Sequence, residues 1–90
     1  MLDFEKRMVD EWKEVNDFRK STIERAKKLN DFVNSNPSFE ELGDEDKFLM
    51  QEQLYAMTNV IKMLTMYNDK LTNRCLRRKI NPVNGQEFDY

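Results

Sequence analysis

Trp12 is the only tryptophan of the chain, and it stands between Asp10-Glu11 and Lys13-Glu14 on a largely charged stretch. An indole so placed either anchors a core or an interface, or offers its face to a purine base. A few residues on, Arg19, Lys20 and Thr22 bring charge and a hydroxyl into the middle of an otherwise amphipathic segment. They read either as a solvated face or as the polar lining of a pocket between chains. The cluster RCLRRK, residues 74–79, offers Arg74 and Arg77 to a phosphate, although basic residues at a helix C-terminus also complement the dipole with no ligand at all. Catalysis has little to draw on. There is no histidine and a single cysteine, Cys75, which excludes His-based triads, the usual zinc sets and an internal disulfide. No glycine-rich phosphate loop and no nucleophile beside a base can be found, so a binding protein is expected and not an enzyme, with no cofactor and no metal.

Two long helices must position these groups. From about residue 3 to 34 there is neither proline nor glycine, and Phe4, Met8, Val15, Phe18, Leu29 and Phe32 recur at intervals of three and four. Asp3 suits the N-cap. Arg19, Thr22 and Arg25 break this stripe in its middle. Residues 35–43 concentrate the turn chemistry: Pro37 ends the first helix, PSFEEL can form one turn that lays Phe39 and Leu42 on the hairpin mouth, and Gly43 frees the backbone before Asp44 caps the next helix. The second helix, about 44–79, carries the clearest periodicity. Met50, Leu54, Met57, Ile61, Leu64, Asn68, Leu71 and Cys75 alternate by four and three, a coiled-coil seam with one polar member that fixes register.

Beside that seam runs a second stripe, Ala56, Val60, Met63 and Tyr67. One partner helix covers one seam, so the second stripe calls for another chain. The fold expected is all-α: an antiparallel two-helix hairpin, residues 1–79, assembled into a helical homo-oligomer, with residues 80–90 as a tail either mobile or tied down by Phe88 and Tyr90. Fifteen cationic side chains against 17 acidic ones leave a net charge of −2, which speaks against a DNA or RNA polymer as partner. No apolar run approaches the ~20 residues of a membrane span, and the lone thiol fits a reducing cytoplasm.

The string FVNSNPSFEELGDEDKFLMQEQLYAMTNVIKMLTMYNDKL resembles the helical hairpin domain of small phage anti-CBASS/anti-Thoeris proteins that act as cyclic-oligonucleotide sponges. The resemblance, over roughly residues 25–75, lies in Phe32 and Val33 at a helix end, a loop with Asn36, Pro37, Phe39 and Leu42, a core of Gln53, Leu54, Ala56 and Met57, and a seam running to Arg74. It implies a compact oligomer, often a hexamer, that sequesters cyclic di- or trinucleotides such as 3′,3′-cGAMP-like messengers without cleaving them, in the cytoplasm of an infected bacterium. It also implies a pocket with an aromatic residue near the start of the chain and a lysine further on, matched here by Trp12 and Lys27, with Lys20 and Thr22 in polar roles. A small coiled-coil adaptor that binds a host protein through the second apolar stripe is the alternative.

Overall fold

The computed structural model describes residues 1–87 and is helical almost throughout. Helix α1 covers Asp3–Ser35, a single turn α2 covers Pro37–Glu40, and α3 covers Asp44–Arg77. The caps differ from expectation by one residue: Leu2 and Gly43, both in extended backbone, are the N-caps of α1 and α3, and Asp3 and Asp44 are the first helical residues. Their carboxylates still meet the positive end of each dipole. Glu5 reaches back to accept a hydrogen bond from the Leu2 amide at 2.9 Å. At α2 the Asn36 side chain accepts from Ser38 N, with Pro37 in the first turn where its missing N–H costs nothing.

The two long helices pack antiparallel into a rod of 58 × 18 × 16 Å. Along α3 the expected seam holds: Asn68, Leu71 and Cys75 are buried, and Met50, Leu54, Met57, Ile61 and Leu64 are half-buried. The stripe of Ala56, Val60, Met63 and Tyr67 is exposed. On α1 the facing residues are different from the apolar series read off the sequence. Val9 is its one buried residue, whereas Phe4 and Phe18 are exposed. Three polar rungs cross the hairpin: Trp12 Nε1 donates to Thr72 Oγ1 at 2.7 Å, Asn68 Nδ2 approaches Asn16 Oδ1 at 3.4 Å, and Arg19 Nε donates to Thr65 Oγ1 at 3.0 Å. In every rung the two residue numbers add to the same total, so the rungs share one antiparallel register. Arg19 is thus a cross-link and no interruption.

The core gathers at the end where the chain termini meet. Val9, Cys75 and Ile80 pack together with Met8 against them. Lys79, at φ 59°, turns the chain off α3 so that Ile80 N bonds back to Cys75 O and Lys79 N to Leu76 O, the pairing of a Schellman ending with lysine where glycine is usual. Ile80 is thereby delivered into the core with no exposed surface. Residues 81–87 double back through Asn81 N–Gln86 O and Gly85 N–Asn81 O bonds, and Glu87 meets the N-terminal ammonium at 3.3 Å. The anchoring expected of Phe88 and Tyr90 lies outside the described residues. At the opposite end Phe39 is buried and its ring meets Phe32 edge-on, centroids 6.1 Å apart. No helix among the described residues is long and apolar enough to cross a membrane.

Candidate functional site

The six residues singled out by type fall into four separate concavities. Trp12 and Lys20 share a shallow one with Asn16 and Val83, but the indole N–H is spent on Thr72, so Trp12 acts first as a strut of the hairpin. Lys27 lines another with Ile23, Asn30 and Ile61. About 22 Å of helix separates positions 12 and 27 at 1.5 Å per residue, so one small ligand on one chain does not touch both. Arg74 and Arg77 do come together, in a cleft of about 710 Å³ at the open end, with Phe4, Glu5, Met8 and Arg78. There Arg78 lies 4.3 Å from the Phe4 ring centroid and 3.7 Å from the Glu5 carboxylate, which covers the ring and leaves Arg74 and Arg77 with no ion pair to another described residue.

Thr22 leads to the fourth and chemically richest concavity, a groove of about 480 Å³ at the waist of the rod. One wall is α1: Phe18, 58% exposed, then Ser21, Thr22 and Arg25. Positions 18, 22 and 25 share a face because a helix returns after three or four residues. Thr22 Oγ1 donates to Phe18 O at 2.8 Å, so its oxygen lone pairs are what the groove receives. The other wall is α3: Gln53, Ala56, Met57 and Val60. Phe18 can stack on a planar base, Gln53 can donate and accept at a base edge, and Arg25 can meet a phosphate. Met57 and Val60 supply an apolar floor. No group within it is a nucleophile paired with a base. Among the described residues no three His, Cys, Asp or Glu side chains gather to hold a metal ion.

Sequence reasoning named Thr22 here but missed Phe18, Arg25 and Gln53 as a group. By spacing Phe18 belongs to the apolar series, and the seven-residue step from Phe18 to Arg25 is the signal that joins those two, whereas Gln53 comes from the other helix.

The profile of the family described as Sequestin matches residues 2–66, well over half of the chain. The chain belongs to the Sequestin family. The match takes in both walls of the waist groove, whereas Arg74, Arg77 and Arg78 of the open-end cleft lie beyond it. Membership agrees with the resemblance to phage sponge proteins, and the name Sequestin points to sequestration of a ligand. No curated protein and no solved structure matches the chain.

Proposed function

We propose that this Sequestin-family chain binds and sequesters cyclic di- or trinucleotide messengers of bacterial anti-phage immunity, without cleaving them, and so withholds them from their effectors. It does so in the cytoplasm of the infected cell, as a homo-oligomer for which the resemblance implies a hexamer. What supports the reading is the waist groove, which lies wholly within the family match and sets an exposed aromatic face, a guanidinium, hydroxyls and an amide around an apolar floor. A cyclic dinucleotide asks for those groups: bases to stack, edges to pair, and phosphates to meet charge. Arg74 and Arg77 at the open end, without an ion pair to another described residue, offer positive charge to the same class of ligand.

Calorimetric titration with a panel of cyclic di- and trinucleotides, repeated on Phe18→Ala and Gln53→Ala, tests this. Loss of one base stack costs about 1–3 kcal/mol, so Phe18→Ala should weaken binding roughly fivefold to more than a hundredfold. Bound nucleotide released by heat should be recovered intact. If both variants bind as the parent does, the groove is not the site. If no member of the panel binds, the exposed stripe of α3 favours the second reading, a small adaptor docked on a host protein.

A further inference from the structure

Leu49, Ala56, Val60, Met63 and Tyr67 form a straight exposed line on α3, about a quarter-turn from the seam that faces α1. The chain exposes 6871 Å². A compact monomer of 10.9 kDa exposes about 5,600 Å² by the scaling of surface with mass. The excess, about 1,300 Å², is larger than the ~800 Å² that each partner contributes to a standard interface. Charge along the line says what covers it. Glu45 and Glu52 flank its loop end, and Lys70, Arg74 and Arg77 flank its open end.

We propose that two copies of the chain pair through α3, antiparallel, about a two-fold axis passing between Ile61 and Lys62. In that register Val60 meets the partner's Met63, and small Ala56 receives the partner's large Tyr67. Glu52 comes within one residue, about 1.5 Å of rise, of the level of the partner's Lys70, and Glu45 equally near the level of the partner's Arg77. A parallel pairing sets Glu52 on Glu52 and Arg74 on Arg74, like against like, and is disfavoured by the same charges. The two-fold contact uses one patch on both copies and closes on itself. Tyr67 is prepared for its place, because its hydroxyl donates to Glu11 at 2.5 Å and holds the ring while 45% of the residue stays exposed. Ala56 lines the waist groove, so the partner's Tyr67 becomes an added aromatic wall of that groove. The pairing gives the proposed homo-oligomer a contact surface, and the added aromatic wall rests on the proposed ligand.

The test is a charge exchange in ligand-free protein. Glu52 and Lys70 lie about 27 Å apart along α3 at 1.5 Å per residue, so they do not interact within one chain. Sedimentation across a concentration series should show Glu52→Lys and Lys70→Glu each weakening the pair several-fold, since each puts two like-charge contacts across it, and the double exchange restoring it to within about twofold. Circular dichroism should be unchanged throughout, as both side chains are exposed. A parent that stays monomeric overturns the proposal. So does a double exchange no better than the singles. Oxidation offers a second readout: the Val60→Cys/Met63→Cys chain should cross-link fully, and Val60→Cys alone poorly, whereas efficient linkage of Val60→Cys alone marks a parallel pair and refutes the register. Nucleotide titration is read separately, so absence of ligand binding leaves the pairing result intact.

Discussion

Asn68 is 92% removed from solvent, and its Oδ1 has no hydrogen-bond partner among the described residues. Its Nδ2 makes a single long contact, 3.4 Å, to Asn16. Replacing it by leucine, which has the same branching and is somewhat larger, takes away an unpaired buried acceptor that costs about 1–3 kcal/mol. The substitution also places apolar surface beside Leu64 and Leu71. Against this stands the weak Asn16 contact, worth about 0.5–1 kcal/mol, and Asn16 is only half-buried and can turn to water. Asn68→Leu should therefore stabilise the hairpin by about 1–2 kcal/mol. With a urea slope of about 1 kcal/mol per molar for so small a chain, the unfolding midpoint by circular dichroism should rise by roughly 1–2 M. The comparison is made at one protein concentration, because association and stability are linked. A variant less stable than the parent by 1 kcal/mol or more would falsify the argument and show that the amide is fully satisfied. The gain should come with looser pairing, since a single polar group in an apolar seam excludes alternative registers.

Trp12→Phe keeps a ring against α3 but removes the N–H that meets Thr72, and should lower stability by about 0.5–1.5 kcal/mol in urea unfolding while leaving nucleotide affinity at the parent's level; a loss of affinity without a loss of stability would return Trp12 to the ligand. Cys75 has no exposed surface and burial pushes its thiol above the ordinary value, so a thiol reagent at neutral pH should label it only as fast as the chain unfolds, and rapid labelling of native protein contradicts the packing. The Tyr67 phenol is raised above 10.0 chiefly by its hydrogen bond to Glu11 and then by that carboxylate's charge. This favours the protonated, folded form, so the contribution is complete below about pH 10 and disappears as pH climbs through the raised value. Phenolate absorbance during an alkaline titration should lose its highest-pH component in Tyr67→Phe.

The second helix was legible because one strong rule governs it: a seam spaced by fours and threes can only face inward, and its neighbour can only be left over. The loop was legible for a similar reason, since Pro37 cannot continue the helix before it and Gly43 frees the backbone for the next start. The first helix was not. Its inward face carries Trp12, Asn16 and Arg19, whose donors find Thr72, Asn68 and Thr65 only once the register is set, and no count along the sequence shows that. Phe4 and Phe18 accordingly looked like core and are exposed. The grouping of the candidate site residues depends on the same register. Lys27 and Thr22 are five residues apart, yet they open on different grooves, because flank is decided by which side of α1 meets α3.

Val9, Leu71, Cys75 and Ile80, four of the five buried hydrophobic residues among those described, sit at the end of the rod far from the loop. Contacts there join positions separated by some seventy residues, whereas the loop end has a local foothold in the Phe32–Phe39 pair and in Lys47, which meets the Phe39 ring and Glu40. Bringing such distant segments together carries the largest loop-closure entropy in the molecule, and the reward arrives only when Ile80 drops into place. During synthesis, then, a chain can form both helices and still have no closed core. The ribosome must release Ile80 and the turn after it before the hairpin locks, and until then it stands open like an unfastened clasp.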